Sequence, residues 1–187
     1  ETHRIYPASR RTGGDAVSSA EILAEEVPVA LVYNGISHAV MLATPADLED
    51  FAIGFSLSEC IVGRAGEVLD LEIIEGGSGI EVQMQITAER AQALKRHRRS
   101  LAGRTGCGLC GTESLDQLAR RSARVESSTV LAEGAVARAL SGLQASQALF
   151  RATGAVHAAA WCEADGRIEL LREDVGRHNA LDKMIGA

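Results

Sequence analysis

Residues 26–43 read EVPVALVYNGISHAVMLA, two apolar stretches separated by an Asn-Gly pair. Asn34 and Gly35 tolerate the left-handed backbone conformation that a two-residue hairpin turn requires. The pair therefore predicts a β-hairpin whose strands are Glu26–Tyr33 and Ile36–Ala43. Because this hairpin signal is strong, the other elements are assigned outward from it.

A helix is expected directly after this hairpin. Thr44 is a suitable N-cap, and Pro45 is a residue type favoured at the first helical position. Apolar side chains recur behind them at helical spacing and give the helix one buried face: Leu48, Phe51, Ala52 and Phe55.

The remaining chain alternates between strand pairs and helices. Strands are expected at Glu67–Glu75, Gly79–Thr87, Ala155–Cys162 and Arg167–Leu171, with turns at residues 76–78 and 165–166. Helices are expected at Ala88–Arg99, from Thr112 to about Arg121, at Glu133–Phe150 and, capped by Asp174, at the C-terminal end. Residues 1–25 are polar and predict a loosely held arm with a turn at residues 12–15. This order indicates an α/β or α+β layered domain with a mixed sheet.

Composition excludes several classes of protein. The 187 residues fit one domain, and a hydrophobic content of 46% is sufficient for a core, which must be aliphatic because only 3% of residues are aromatic. The net charge of −6 disfavours a nucleic-acid binder. No apolar run is long enough for a membrane span or a signal peptide, so we expect a cytoplasmic protein.

The average charge conceals a strong local asymmetry. Residues 95–124 contain eight Lys and Arg but only two acidic residues, so this window has a charge of +6 and the rest of the chain −12. The basic window also contains a Cys-x-x-Cys motif, Cys107 and Cys110, within a glycine-rich loop. The chain therefore places a positive charge next to a pair of thiols.

The other two cysteines are predicted to be buried, inert thiols. Cys60 lies in an apolar helical stretch and Cys162 at the end of an apolar strand, where free cysteine behaves as a small core residue. Only Cys107 and Cys110 form a local group, and four glycines surround them: Gly103, Gly106, Gly108 and Gly111. Glycine favours a loop that moves or that lets its backbone approach a partner closely.

Three uses of the Cys107–Cys110 pair are compared. A zinc site needs two further ligands, and neither a second cysteine pair nor a histidine at finger spacing supplies them. A dithiol redox site is compatible with the spacing, although the motif does not directly follow a convincing strand. Sulfur carriage needs an exposed thiolate, which Arg104 and the basic residues 95–99 would favour. The chemistry of these residues supports redox and sulfur transfer almost equally.

Two later segments are candidate binding sites. His157 lies in a strand of small apolar residues and either forms a hydrogen bond in the core or lines a pocket. Residues 173–183, EDVGRHNALDK, are dense in polar groups. A helix that begins with Gly, Arg, His and Asn offers backbone N–H groups and cationic side chains to an anion such as phosphate, and the alternative is a solvated polar face. The candidate cofactor contacts are His157, Arg177, His178, Asn179 and Lys183.

Three motifs occur in a fixed order: GCGLCG at 106–111, TGAVHAA at 153–159 and EDVGRHNALDK at 173–183. Together with DFAIGF at 50–55, they closely resemble the formate dehydrogenase accessory sulfurtransferase family (FdhD/NarQ). The resemblance extends over nearly the whole chain from about residue 22 onward. The last motif combined with the cysteine loop is highly specific.

The resemblance implies a cytidine-deaminase-like fold and a homodimer. It also implies a sulfurtransferase that takes sulfur from a cysteine desulfurase and passes it to the molybdenum bis(guanine dinucleotide) cofactor of formate dehydrogenase. In this scheme Cys107 carries the persulfide and Cys110 is the second, assisting cysteine. No cofactor is permanently bound, and GDP-like nucleotides are expected to bind. Deaminase chemistry itself is disfavoured, because Ala158 and Ala159 follow His157 where a deaminase has its catalytic glutamate.

Three parts of the chain are expected: an arm at 1–25, a β-rich subdomain at 26–100, and a deaminase-like part at 101–187 that contains the cysteine loop. Members of the family usually continue past this point, so a C-terminal portion is expected to be missing. Two alternatives remain open. One is a non-catalytic chaperone that binds the cofactor and docks on formate dehydrogenase, and the other is a Cys-x-x-Cys dithiol oxidoreductase.

Overall fold

The computed structural model describes residues 1–12, 15–101 and 126–187. The strands are β1 (His3–Thr12), β2 (Asp15–Ala24), β3 (Val27–Tyr33), β4 (Ile36–Ala43), β5 (Val68–Gly76), β6 (Gly79–Ile86), β7 (His157–Cys162) and β8 (Ile168–Asp174). The helices are α1 (Leu48–Ser58), α2 (Ala88–Leu101), α3 (Ala135–Ser146), α4 (Ala148–Thr153) and α5 (Arg177–Gly186), and a short 3-10 helix covers Ala65–Glu67.

The central sheet is mixed, as the sequence predicts. Its strand order is β4-β3-β6-β5, in which β3 and β6 run parallel and the other neighbours run antiparallel. Asn34 and Gly35 form the predicted turn between β3 and β4, with φ of 48° and 76°. Two separate hairpins, β1–β2 and β7–β8, complete the strand pairing of the described residues.

The hydrophobic core lies between one face of the central sheet and α1. Buried positions alternate along β6, and along β3 as far as Leu31, which is the pattern of a sheet buried on one side. Phe51 has no solvent-exposed surface, and burial of such a side chain stabilises the fold by about 1.5–3 kcal/mol. The core residues are Val29, Leu31, Tyr33, Ala43, Leu48, Phe51, Ala52, Ile61, Val62, Val82, Met84 and Ile86.

Helix α5 packs across α1 through two glycines. A Cβ on Gly54 would collide with the backbone carbonyl of Asp182, and a Cβ on Gly186 would collide with that of Asp50. Helix α5 also contacts β7 and β8. The crossing of these two helices therefore connects the central sheet to the β7–β8 hairpin, where the predicted binding residues lie.

The N-terminal residues form regular structure that the sequence does not predict. Strands β1 and β2 pair continuously from His3–Ala24 to Thr12–Asp15, and residues 13 and 14 of the expected turn lie outside the described residues. The sequence therefore missed two strands in this arm, while its loose attachment stays a prediction. A backbone ladder needs few apolar side chains, so polar composition alone did not indicate it.

Two helix boundaries also differ from prediction. Helix α1 begins at Leu48 after Asp47, not after Thr44, because the polar groups of Thr44 are bonded elsewhere in the fold. The helix expected at Glu133–Phe150 is divided into α3 and α4, since Gln147 has an extended backbone with ψ of 91°.

The expected burial of the two isolated cysteines is not found. Cys60 is exposed beyond the end of α1, with a left-handed φ of 56°, and Cys162 is half-buried. Ile61 and Val62, the apolar residues that follow Cys60, enter the core, while the Cys60 thiol remains outside. Across the described ranges, none of the helices has the length and apolarity needed to cross a membrane.

Candidate functional site at the start of α5

Five of the seven predicted site residues lie in the described parts of the chain. Cys107 and Cys110, their loop at 103–111 and the helix expected after it lie outside them. His157 begins β7, and the other four candidates lie on α5. The described part of the chain therefore contains the predicted cofactor contacts but not the predicted catalytic cysteines.

Asp174, the last residue of β8, is the centre of a buried hydrogen-bond network. Its Oδ2 accepts hydrogen bonds from Lys183 Nζ at 2.7 Å and from the Thr44 backbone N–H at 3.0 Å. Its Oδ1 accepts from the Gly176 N–H at 2.8 Å and from Asn179 Nδ2 at 3.0 Å. Asp174 is thus not the N-cap that the sequence predicts, since it lies at the end of a strand and α5 begins after Gly176.

Lys183 is the counterion of Asp174, and neither residue has any solvent-exposed surface. Its Nζ donates a second hydrogen bond to the Thr44 carbonyl oxygen at 2.9 Å. Removal of one member of such a pair leaves a buried, uncompensated charge and costs about 3–5 kcal/mol. The structure therefore gives Lys183 a role in holding the fold together, and no ligand reaches its ammonium group in this conformation.

Asn179 occupies the same interior position one helical turn earlier. Its Nδ2 donates to the Leu42 carbonyl oxygen at 2.8 Å and to Asp174. A Cβ on Gly176 would lie 2.9 Å from that amide nitrogen, so glycine is required here for close approach rather than for its backbone angle. The prediction of cofactor contacts by Asn179 and Lys183 gains no support from this geometry.

Glu173 holds the start of α4. Its two carboxylate oxygens accept hydrogen bonds from the backbone N–H groups of Leu149 and Phe150, each at 2.8 Å. These N–H groups lie in the first turn of α4, where they have no partner within the helix. A carboxylate at this end also interacts favourably with the helix dipole. Glu173 thereby fixes the helix that leads into Gly154 and then into β7.

The remaining three candidates face solvent. The side chains of His157, Arg177 and His178 are exposed, and none of them makes a hydrogen bond or an ion pair with another described residue. His157 lies opposite Asp174 in the register of β7 and β8, and Arg177 follows Asp174 by three positions. Since three residues span at most about 11 Å, all three side chains belong to one end of the hairpin. We name His157, Arg177 and His178 the cationic end.

Asp182 lies one turn after His178 on α5. Partial burial is the main cause that raises the pKa of its carboxyl group above the usual value, while a hydrogen bond from Ser58 Oγ at 2.7 Å opposes this increase. The charge of Glu59 also raises this pKa, and the nearby His178 lowers it. Asp182 is therefore an acidic neighbour of the cationic end and a contact between α1 and α5.

A second ion pair joins β8 to α1. Arg172 Nε lies 2.7 Å from Asp50 Oδ2 and 3.8 Å from Asp47 Oδ1, and its side chain is mostly buried. Asp50 is the first residue of the DFAIGF run, and Gly54 of the same run packs on α5. The run therefore has a structural role in this fold.

An open cavity of about 380 Å³ lies at the other end of the β7–β8 hairpin. It is lined by Arg138, Gly142, Ser146, Asp165, Gly166, Arg167 and Ile168. None of the five described site residues lines it. No group of three His, Cys, Asp or Glu side chains suited to a metal occurs in the described parts of the chain.

The sequence does not reveal the long-range contacts of Thr44, Glu173 and Asp174. It predicts Thr44 and Asp174 as helix caps and gives Glu173 no role of its own. Each is a residue type that caps helices locally, whereas here each bonds to an element distant in sequence. The only signal in the sequence was the high density of polar residues in an otherwise apolar region.

A family model described as "FdhD/NarQ family" matches residues 24–187. A Cupriavidus necator protein named "Sulfur carrier protein FdhD" is 60% identical over 186 residues, which cover 100% of this chain and 65% of that protein. A Bordetella petrii protein of the same name is 54% identical over 172 residues, 92% of this chain and 62% of that protein. The chain thus spans less than two-thirds of the length of these relatives.

The fold also matches solved structures. In one of them, a Desulfotalea psychrophila chain described as a formate dehydrogenase accessory protein, the TM-score is 0.74 at 21% identity. The match covers 100% of this chain and 68% of that chain. This likeness confirms the mixed α/β fold class, whereas the expected likeness to cytidine deaminases stays a prediction.

Proposed function

Because the chain belongs to the FdhD/NarQ family, we propose that it is a sulfur carrier that serves the maturation of formate dehydrogenase. The observation that carries the proposal is the Cys107-x-x-Cys110 motif in a chain 60% identical to a protein named as a sulfur carrier. The excess of positive charge at residues 95–124 adds support, since it favours the thiolate form of a cysteine.

In the proposed loading step, Cys107 reacts as a thiolate. It attacks the terminal sulfur of a cysteine persulfide on a cysteine desulfurase. The S–S bond of the donor breaks, the donor cysteine leaves as a thiolate, and Cys107 becomes the persulfide. No external oxidant or reductant is required.

In the proposed release step, Cys110 assists in one of two ways. It accepts the terminal sulfur from Cys107 and relays it as a second persulfide, or it attacks the inner sulfur of the Cys107 persulfide. The second route forms a Cys107–Cys110 disulfide and frees hydrosulfide, and a thiol reductant must then restore the pair. The two routes differ in whether a disulfide accumulates when the reductant is withheld.

The proposed sulfur acceptor is the molybdenum bis(guanine dinucleotide) cofactor, a substrate whose phosphates are anionic. The cationic end supports this assignment, because the side chains of His157, Arg177 and His178 are exposed and make no hydrogen bond or ion pair with another described residue. A helix start adds backbone N–H groups and the positive end of a dipole. Asn179 and Lys183 are buried and are not proposed as phosphate contacts.

The proposed partners are a cysteine desulfurase, which donates sulfur, and formate dehydrogenase, which receives the mature cofactor. A homodimer is also part of the proposal. Light scattering of the purified chain tests the oligomeric state, and a monomer at micromolar concentration would contradict the homodimer.

The test of sulfur carriage is a loading assay. The purified chain is incubated with a cysteine desulfurase and cysteine, and the added sulfur is located by peptide mass spectrometry without reductant. We expect a mass increase of one sulfur on the peptide that contains Cys107, none on Cys60 or Cys162, and none in the Cys107→Ala variant. The Cys60→Ala variant is the matched control because it removes an exposed thiol outside the Cys-x-x-Cys motif.

Two results separate the alternatives. Absence of added sulfur on a folded chain with reduced thiols would contradict sulfur carriage and favour a cofactor-binding chaperone. A reversible Cys107–Cys110 disulfide that turns over with a thiol substrate, without sulfur transfer, would favour a dithiol oxidoreductase. In contrast, a Cys107 persulfide that disappears when a cofactor acceptor is added supports the proposal.

The phosphate assignment is tested with GDP as the probe. At one hundred times its Kd, GDP stabilises the folded chain by about 2.7 kcal/mol, which corresponds to roughly 5–10 °C in Tm. The Arg177→Ala/His178→Ala variant is expected to lose this increase, and Arg64→Ala, which removes an exposed arginine elsewhere, is expected to keep it. An unchanged Tm of the wild-type chain at millimolar GDP would argue against a guanine nucleotide at the cationic end.

A further inference from the structure

We propose that Asp174 and Lys183 are positioning residues, which set the placement of Arg177 and His178 for a phosphate-bearing ligand without contacting it. The inference deepens the proposed function and rests on it. It assigns a task to the two charged residues of the EDVGRHNALDK motif that lie inside the fold.

The first argument is the burial of the pair. Lys183 and Asp174 have no solvent-exposed surface, and the Lys183 ammonium group lies between the carboxylate and the Thr44 carbonyl oxygen. A buried charge is costly unless it is paired and hydrogen-bonded, and here both conditions are met. The positive charge of Lys183 is therefore compensated internally, which leaves recognition of an anion to the exposed residues of the motif.

The second argument is that the Asp174 carboxylate joins three parts of the fold. Oδ2 binds the Thr44 N–H at the end of β4, and Oδ1 binds the Gly176 N–H immediately before α5. Lys183 extends the connection to the second half of α5, and Asn179 extends it to β4 through the Leu42 carbonyl. The start of α5 is thereby attached to the central sheet by side-chain hydrogen bonds.

The third argument is the position of Arg177 and His178. They directly follow Gly176, whose N–H is held by Asp174, and they precede Asn179, whose amide is held by Asp174 as well. The exposed Arg177 and His178 thus lie between two residues that are hydrogen-bonded to Asp174. A shift of either anchor changes where the guanidinium and imidazole groups lie, so loss of Asp174 is expected to weaken binding through geometry.

The test compares ligand affinity with thermal stability in four variants. The probe is GDP, and its Kd is measured by calorimetry at 10 °C on chains shown to be folded by circular dichroism. The variants are Asp174→Asn, Lys183→Met, the double variant D174N/K183M and the control Arg172→Met. The double variant removes both charges together, so it remains informative if a single variant fails to fold.

We expect Kd for GDP to increase at least tenfold in D174N/K183M, even where the variant is fully folded. Three donors still face position 174 when Lys183 is replaced, from Thr44, Gly176 and Asn179. An asparagine cannot accept from all three, because one of its two terminal atoms is a donor. The Arg172→Met control breaks a different ion pair of the same hairpin, so its Tm decreases while Kd stays within twofold of wild type. Together these results would separate positioning from general stability.

A folded D174N/K183M variant with wild-type Kd would overturn the inference, because the pair would then contribute only stability. Lack of GDP binding by the wild-type chain would overturn it as well, since Arg177 and His178 would have no such ligand. Sulfur loading on Cys107, measured in parallel on the wild type, is independent of both outcomes. Failure of loading would instead count against the proposed sulfur carriage.

Discussion

Gly54 of α1 packs directly on the backbone carbonyl of Asp182 in α5, and the two helices leave no space for a methyl group between them. We therefore expect Gly54→Ala to force α5 away from α1 and to destabilise the fold by about 3 kcal/mol, or roughly 10 °C in Tm. The measurement is thermal unfolding followed by circular dichroism. Gly66→Ala is the matched control, since a Cβ at Gly66 meets no atom within 4 Å. Equal Tm values for both variants would contradict the close crossing.

Tyr33 donates its hydroxyl hydrogen to Ser56 Oγ at 2.8 Å, because Ser56 uses its own hydrogen for the Ala52 carbonyl oxygen at 2.6 Å. Burial raises the pKa of Tyr33 well above that of a free tyrosine. We expect Tyr33 to remain neutral in the folded chain at pH 10–11. The chain has two tyrosines, so absorbance near 295 nm should reach the signal of two tyrosinates only when the chain unfolds.

The same shift determines the sign of the pH effect. Since the pKa of Tyr33 is higher in the folded state than in the unfolded state, its contribution to stability is complete below about pH 10 and is lost as the pH rises. Tyr33→Phe is expected to cost about 1 kcal/mol at neutral pH and to reduce the loss of stability in alkali. The exposed Tyr6 provides the control variant, Tyr6→Phe. A Tyr33→Phe chain that is as sensitive to alkali as the wild type would contradict this assignment.

The two carboxylate oxygens of Glu173 accept the hydrogen bonds of the Leu149 and Phe150 N–H groups. We expect Glu173→Ala to cost about 1–2 kcal/mol and to increase hydrogen exchange at these two amides at least tenfold. Glu173→Gln retains one acceptor oxygen and should have an intermediate effect. Glu169→Ala, on the same strand, is the control and should leave both amides protected. Full protection in Glu173→Ala would show that α4 starts without this carboxylate.

The strands of the central sheet were largely predictable, because their signals are local. An Asn-Gly turn connects β3 to β4, and a Gly-rich turn connects β5 to β6. Each strand also has its own apolar pattern. No local pattern specifies the parallel pairing of β3 with β6, since the register partners Leu31 and Val82 are 51 positions apart in the sequence. Such pairing depends on how the connecting segments pack.

The candidate site shows the same division. Residue types and spacing identified EDVGRHNALDK as unusual and placed Asn179 and Lys183 one helical turn apart. They did not indicate that this pair faces inward while Arg177 and His178 face solvent. That distinction depends on β4 and the residue that follows it, which supply Leu42 and Thr44 as partners.

By itself the sequence determined the hairpins β3–β4, β5–β6 and β7–β8, most helices, the thiol pair and the resemblance to a family, because each of these signals lies within a few neighbouring residues. Only the tertiary structure decided that Thr44 is a partner of Asp174, 130 positions away, instead of a helix cap. A capping residue and a buried anchor have the same chemistry, a short polar side chain near unsatisfied backbone groups. Which role such a residue takes depends on whether a distant element reaches it, and this depends on packing of the whole fold.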